Sequence, residues 1–420
     1  MINSCLIIHS DHENDALTIS KHYKSFEKYG ECFYMRINLY DFDKLDEKIL
    51  QLFDSLIIHY SAYLPNFIKG EMSKALFKLI NFKGKKIVFI QDEYRHIDKT
   101  NDILNLLKID YLYSVCPIEK AKIIYRNAIK KGLIVKETLT GYIDEIFLTF
   151  EENKIPIKDI DVSYRARNLK ETFKYLGKKA LEKQEISSIN SDLIKEGFKT
   201  SISTNEKDRV YGKEWDNLLR RSRATLFTIS GASVCDFTGK IQASFQNLYK
   251  KGHRGKILDS TFASFDGNLE ATAISPRVFE AAYHKVLLIG YEDHYSNILK
   301  SGIHYIALKR NHSNLNEIFK VLRNNKLIEI YTRKAYEDLI LSQKYTWRTF
   351  IKKFEKDMKF KNHENLKLSI LKQHLNYYKT NKYKKLFLHI LLFIKRLLPS
   401  NIKLLVLNIF HKLEFLYYYV

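Results

Sequence analysis

Short, branched apolar runs recur along the first third of the chain, separated by longer stretches in which apolar and charged residues alternate with a helical period. Residues 5–9 (Cys5-Leu6-Ile7-Ile8-His9), 32–37, 55–59, 86–90 and 111–115 read as strands. Helices are expected over 15–29, closed by Gly30, and around 73–80. Strands alternating with helical stretches predict βαβ units and a parallel sheet covered on both faces. A polar segment around Pro156, residues 151–158, predicts a linker. The pattern then restarts. Strands are expected at 160–164, 224–229, 286–290 and 305–308, with helices over 169–183, 315–324 and 334–358, the last carrying Trp347 and Phe350 on an apolar stripe. The expectation is an α/β protein with two Rossmann-like domains facing across a cleft, residues 1–150 and 151–335. A helical segment, 336–362, packs back on them, and a C-terminal helical tail, 363–420, follows.

Composition narrows this picture. A chain of 420 residues with 45% hydrophobic content can fill two domain cores. Its cysteines, Cys5, Cys32, Cys116 and Cys235, have no metal-ligand spacing, and a reducing compartment is expected. The N-terminus lacks the basic and apolar regions of a signal peptide, and no run of roughly 18 apolar residues occurs, so a cytoplasmic protein is expected. The net charge of +22 is compatible with nucleic acid, anionic lipid or phosphate-bearing substrates. No helix-turn-helix, zinc-finger or RNA-binding signature is present, so nucleic acid is not an expected partner. Much of the charge is scattered lysine. The tail is different: from Asn365 onward Glu414 is the only acid. Its apolar patches, 386–394 and 404–410, are broken by Lys395, Arg396, Pro399 and Lys403. Residues 382–420 either lie on an anionic membrane surface, giving a peripheral position on the inner face, or dock on the domains.

Candidate chemistry follows the strand ends, where open α/β sheets bind ligands. After the 86–90 run, Asp92 and Glu93 are candidate general bases for an acceptor hydroxyl, or an acidic helix start paired with Arg95. His59 follows another run and is a third catalytic candidate; His9 and His12 are weaker ones. Arg165 and Arg167 follow the first run of the second block, and guanidinium groups suit phosphate oxygens. The loop from Ser230 to Asp236 offers Ser230, Gly231 and Ser233, small enough for close approach of a ligand. It has neither GxGxxG nor GxxxxGK[ST] spacing. In Ser275-Pro276-Arg277-Val278-Phe279-Glu280-Ala281-Ala282, Ser275 is expected as a helix N-cap and Pro276 as the first helical residue. Arg277 there suits phosphate and Glu280 suits sugar hydroxyls, beside helix-entrance N–H groups that favour an anion. Tyr295 and Ser296 follow the 286–290 run and are expected to touch the same ligand. Two Asp-x-Asp pairs are the best case for a metal. Asp41 and Asp43 read as helix caps, and Asp159 and Asp161 sit at the amino end of a strand, so no metal site is expected.

Several of these pieces, with Tyr211-Gly212-Lys213-Glu214-Trp215, Arg223-Ala224-Thr225-Leu226, His304-Tyr305-Ile306-Ala307-Leu308 and Asn314-Leu315-Asn316-Glu317, resemble GT-B glycosyltransferases of the bacterial CgeB-like, glycosyl transferase family 1 type. The resemblance covers roughly residues 155 to 355 and reaches the first half more weakly, through 91–94 and 139–142. It implies a GT-B fold, a nucleotide-diphospho-sugar donor held mainly by the second domain, and a bacterial surface glycan or lipid-linked acceptor held mainly by the first. It implies that Glu280 holds the ribose hydroxyls and that no cofactor or bound metal is needed. Thr272 stands where related enzymes often carry a second glutamate, with Glu270 nearby, and Tyr283-His284-Lys285 replaces a usual glycine. Residues 240–270 read as an insertion without an assigned role. The alternative expectation is a non-catalytic glycan- or nucleic-acid-binding protein of similar fold.

Overall fold

The computed structural model describes residues 4–11, 17–65, 73–144, 157–169 and 171–360. The expectations for His12, most of the 151–158 segment and the tail from 363 lie outside the described residues. The chain divides into two compact units, Met1–Asn362 and His363–Val420, and the described residues all belong to the first.

Six parallel strands form the first sheet: β1 Ser4–His9, β2 Phe33–Asn38, β3 Ser55–Ile58, β4 Lys85–Ile90, β5 Tyr111–Ser114 and β6 Ile134–Glu137, in the order β2-β1-β3-β4-β5-β6. The second sheet is parallel with order β13-β12-β9-β7-β8. Its members are β7 Ile160–Arg165, β8 Thr200–Ser203, β9 Ser222–Phe227, β12 Leu287–Tyr291 and β13 Tyr305–Leu308. Between β9 and β12 a small antiparallel pair, β10 Ser230–Ala232 and β11 Ala271–Ala273, stands apart from the sheet. β1, β3 and β12 are buried along their whole length, as continuous apolar runs in a doubly covered sheet must be.

Some expected elements are divided. The helix expected over 169–183 is broken at Gly177, whose φ of +84° no helix tolerates. A 3-10 segment, Glu171–Leu176, precedes it and a helix, Lys178–Glu185, follows. The 334–358 stretch is likewise two pieces. The helix Asn325–Tyr336 runs into a single wide turn over Glu337–Leu341, the chain crosses as a loop, and Trp347–Met358 is a separate helix capped by the Thr346 hydroxyl.

That last helix returns to the first domain. Trp347, Phe350, Ile351, Phe354 and Met358 pack with Ile7, Ile57, Phe89 and Tyr113 of the first sheet and with Tyr23 and Phe26 of the helix Leu17–Tyr29. Burying five large side chains at about 1.5–3 kcal/mol each makes it part of that core. Glu355 pins it further, accepting from the Glu31 and Cys32 N–H groups at 2.9 and 3.2 Å and from the Tyr34 hydroxyl at 3.0 Å.

Two junctions join the domains. At one, Ile143 exchanges backbone hydrogen bonds with Tyr345 and Trp347, at 2.8 and 3.1 Å, and the Thr140 hydroxyl donates to the Ile274 carbonyl at 2.6 Å. Gly141 lies here because a Cβ would come within 2.5 Å of the Thr18 methyl and 3.1 Å of Pro276. At the other, the Asp236 N–H donates to the Tyr94 carbonyl and the Asp98 N–H to the Phe237 carbonyl, both at 2.9 Å. The 240–270 insertion forms two helices, Lys240–Lys250 and Lys256–Phe262. Through Phe245, Leu258 and Phe262 they pack on Tyr175, Leu176, Ala180 and Ala232, supporting β10 and the helix Lys178–Glu185 from behind.

Candidate active-site cleft

Both sheets aim the carboxyl ends of their strands at the groove between them. The main cavity there has a volume of about 860 Å³ and is lined from the first domain by Lys21, Tyr60, Gln91, Asp92 and Cys116, and from the second by Lys183, Trp215, Ser230, Thr272, Arg277 and Glu280, among others. A side compartment of about 270 Å³ adjoins it. It shares Lys183, Trp215, Ser230, Ser275 and Arg277 with the main cavity and adds Arg165, Arg167 and Arg209.

On the first-domain wall, Asp92 follows β4 in the left-handed region, φ +57°, which aspartate tolerates better than most residues. It is exposed, and its carboxylate accepts from the Tyr94 hydroxyl at 3.0 Å. The other two candidate bases are occupied inside the fold. Glu93 accepts from the Val115 N–H at 2.9 Å, the Ser114 hydroxyl at 2.8 Å and the Tyr125 hydroxyl at 2.6 Å, while burial pushes its carboxyl above the ordinary range. This carboxylate braces the turn after β5 and is not paired with Arg95 as the acidic-start reading had it. His59 is fully buried. Its Nδ1 accepts the Ser61 N–H at 3.2 Å, so Nε2 carries the proton and donates to His22 Nδ1 at 3.0 Å. Burial and the neighbouring His22 hold the ring well below the usual histidine range.

On the second-domain wall, Gly231 lets the β10–β11 pair close. Its φ is +119°, and a Cβ would sit 2.1 Å from the Ala271 carbonyl oxygen. Ser230 and Gly231 therefore line the cleft together. Ser233 does not. It is buried, donates to Asp266 at 2.6 Å and accepts from the Lys179 N–H at 3.1 Å. Thr272 lines the cavity and its hydroxyl is 3.0 Å from Nε2 of His294. The His294 Nδ1 accepts from the Ser296 N–H, so Nε2 is the donor.

The Ser275 segment departs from its expected cap. Pro276 already has helical dihedrals, φ −61° and ψ −21°, the helix runs Arg277–Tyr283, and the Ser275 hydroxyl makes no capping bond. Ser275 instead lines both compartments. Arg277 donates to the Arg165 carbonyl and lies over the Trp215 ring, 4.6 Å from its centroid. Glu280 accepts the Trp215 indole N–H at 2.6 Å. Burial raises the Glu280 carboxyl, against the pull of Trp215 and Arg277, and burial lowers the Arg277 guanidinium.

Of the two expected phosphate arginines, Arg165 is consumed. Its guanidinium donates to the carbonyls of Asp208, Tyr164 and Ser201 at 2.9, 2.8 and 2.6 Å and to the Ser201 hydroxyl at 3.0 Å. It braces the compartment wall and leaves little capacity for a ligand. Arg167 is exposed on the same compartment. Tyr295 and Ser296 lie away from both. Tyr295 is fully buried, donates to the Tyr291 carbonyl at 2.5 Å and packs on Phe227 and Tyr305.

Lys183 carries no expected role from the sequence. It sits in the last turn of Lys178–Glu185, lines both compartments and makes no hydrogen bond or ion pair with any described residue. Burial and Arg277 push its ammonium below the ordinary lysine range, against the pull of Asp92. Trp215 stood in a recognised motif without a role. Neither Asp-x-Asp pair faces the cleft: Asp159 pairs with Arg221, and Asp161 with Arg223 and the Lys199 N–H. Among the described residues no group of three or more His, Cys, Asp or Glu is placed to hold a metal, and no helix is long and apolar enough to cross a membrane.

No family model matches the sequence, and no curated protein matches it. Solved structures do. The Anabaena Alr3699/HepE protein, in complex with UDP-glucose, matches at a TM-score of 0.50 with 7% identity over 85% of this chain and 99% of that one. The DNA-modifying enzyme β-glucosyltransferase matches at 0.46, with 14% identity over 84% and 98%. S. aureus TarM, in complex with fondaparinux, α-GlcNAc-glycerol and UDP, matches at 0.43 with 12% identity; the two overlap over 76% of this chain and 57% of TarM. Two parallel Rossmann-like sheets, a cleft between their carboxyl edges and a final helix returned to the first domain make this chain a member of the GT-B fold.

Proposed function

We propose that the chain is a glycosyltransferase that moves a sugar from a nucleotide-diphospho-sugar to an acceptor hydroxyl. The observation that carries the reading is the convergence, on one wall of the cleft, of an ammonium without a partner among the described residues (Lys183), a stacked guanidinium (Arg277) and a positioned carboxylate (Glu280). Those groups match a diphosphate and a ribose. Lys183 and Arg277 would neutralise the leaving diphosphate. Glu280, oriented by Trp215, would accept from ribose hydroxyls with its second oxygen. Asp92, across the cleft, is the candidate base. The acceptor oxygen bonds to the anomeric carbon, the bond from that carbon to the diphosphate oxygen breaks with its electron pair leaving on the diphosphate, and the acceptor proton passes to Asp92.

The complex of the Anabaena protein with UDP-glucose supports a uridine nucleotide as the first donor to try. The Ser275–Ala282 segment supports the CgeB-like affinity. A bacterial surface glycan or lipid-linked acceptor, metal-independent hexosyl transfer and a cytoplasmic site at the membrane face complete the reading; the free cysteines and the basic composition of 382–420 support the last. A thermal-shift screen with nucleotide sugars identifies the donor, because a ligand that binds only the native state raises its stability. With that donor, Asp92→Asn should lower turnover by about 10²–10⁴-fold while UDP affinity holds. Unchanged turnover removes Asp92 from the reaction, and absence of binding by any nucleotide removes the reading.

A further inference from the structure

A third cavity, about 130 Å³, opens behind Asp92 in the first domain. It shares Tyr60, Gln91, Asp92 and Glu93 with the main cleft and is lined also by Tyr63, Arg95 and Thr100. Arg95 is the unusual group. Its guanidinium lies over the rings of Tyr94 and Phe173, 5.5 and 5.6 Å from their centroids. Its buried Nε has no hydrogen-bond partner, and the side chain makes no ion pair with any described residue. Ring faces attract a cation but cannot accept all the N–H bonds of a guanidinium. A buried donor left unpaired is costly, and native folds rarely retain one without a use.

The acids nearby do not answer it. Glu93 is filled by Ser114, Val115 and Tyr125, and Asp92 accepts from Tyr94. Backbone strain gathers at the same place. Two of the cavity's lining residues, Tyr63 and Asp92, have positive φ, +34° and +57°, an arrangement that concentrates at ligand sites. Tyr60 and Tyr63 add aromatic surface suited to a sugar ring.

We propose that this cavity receives part of the acceptor, and that the acceptor carries an anionic group, a carboxylate or a phosphate, which pairs with Arg95. The inference rests on the glycosyl-transfer reading above, since that reading puts the acceptor hydroxyl beside Asp92. The anion-reading cation is then distinct from those on the donor wall. Arg95 belongs to the first domain, and Lys183 and Arg277 to the second.

The test uses the full chain saturated with UDP, so that the donor cations are covered. Three probes are titrated at physiological salt: methyl β-glucuronide, glucose 6-phosphate and methyl β-glucoside. An anionic probe should bind about tenfold or more tightly than the neutral glucoside. Preference for the glucuronide identifies a carboxylate, and preference for the sugar phosphate identifies a phosphate. Arg95→Gln should bring the charged-to-neutral ratio close to one with UDP affinity unchanged, and Arg95→Lys should retain a preference. Equal binding of charged and neutral probes by the wild type overturns the proposal, as does no probe binding at all, or a preference that survives Arg95→Gln. The wild-type comparison stands even should a variant fail to fold. A chain that does not bind UDP fails the donor reading instead, and the first titration shows this.

Discussion

Lys183→Met separates a ligand-binding cation from a structural one. The ammonium has no partner among the described residues and lies between the two cleft compartments, next to Arg277. In the free protein it is therefore a net cost: burial disfavours the charge, and Arg277 adds like-charge repulsion. Met keeps the apolar stem and removes both penalties, so the melting temperature should stay level or rise. With a diphosphate bound, the same ammonium makes a charge-assisted hydrogen bond of about 1.5–3 kcal/mol. At a factor of ten per 1.4 kcal/mol, losing it should weaken UDP binding about 10- to 100-fold. Calorimetric titration with UDP reads the second quantity, and a thermal melt without ligand reads the first. The pH dependence adds a third readout. The folded pKa lies below the ordinary lysine value of 10.5, so the empty site loses its proton at a lower pH than free lysine does. UDP holds the ammonium and raises that pKa. Binding therefore takes up a proton in this window, and affinity falls as pH rises through it. Lys183→Met should show no such uptake. UDP affinity within about twofold of wild type, or a melting temperature several degrees lower, would refute the argument.

Three further outcomes are expected. Trp215→Phe keeps an aromatic ring beneath Arg277 and deletes the N–H that orients Glu280, so UDP affinity should fall by about 1 kcal/mol, or about fivefold. The protein has two tryptophans and Trp347 is in the core, so UDP-dependent quenching of tryptophan fluorescence should vanish in the same variant. Glu355→Ala strips the shared acceptor from the Glu31 and Cys32 N–H groups and the Tyr34 hydroxyl, and urea unfolding should show a loss of about 3 kcal/mol. Burial lowers the His22 pKa from 6.5 to about 3, so the unfolded chain binds more protons than the folded one between those values. That contribution is whole above pH 6.5 and falls by about 5 kcal/mol as pH drops to 3; His22→Gln should flatten the acid limb of stability measured by circular dichroism.

The strands were legible because buried parallel strands are written as uninterrupted apolar runs. The nine expected runs all lie in the two sheets, within one residue at each end except 224–229, which is displaced by two. β6 and β8 escaped because their residues, such as Lys136, Glu137, Thr200 and Ser201, are polar, as the outer positions of a sheet allow. The divided helices escaped for a different reason. The apolar period continues through Gly177, so periodicity carries no signal of that break, and the polar run Ser342-Gln343-Lys344 is too short to stand out between two strongly amphipathic segments.

The candidate site divides along the same line between what is local and what is not. Ser275, Arg277 and Glu280 are fixed by one short segment, and the structure brings them to one wall. Whether a polar side chain at a strand end is free for a ligand depends on partners distant in sequence. Arg165 is claimed by Ser201 and Asp208, Glu93 by Ser114 and Tyr125, and the Tyr295 ring by Phe227. No pattern around Arg165 records that its guanidinium is already filled. Nor does any pattern around Lys183 record that it is not. The break at Gly177 starts a new helix whose last turn carries Lys183 into the cleft, while the insertion helices support the start of that helix at Ala180. Among the described residues, Lys183 in the cleft and Arg95 in the cavity behind Asp92 are partly buried cations without an ion pair, whereas Arg167 and Lys213 lack one at exposed positions, and it is the two partly buried cations that the proposals above give to a ligand.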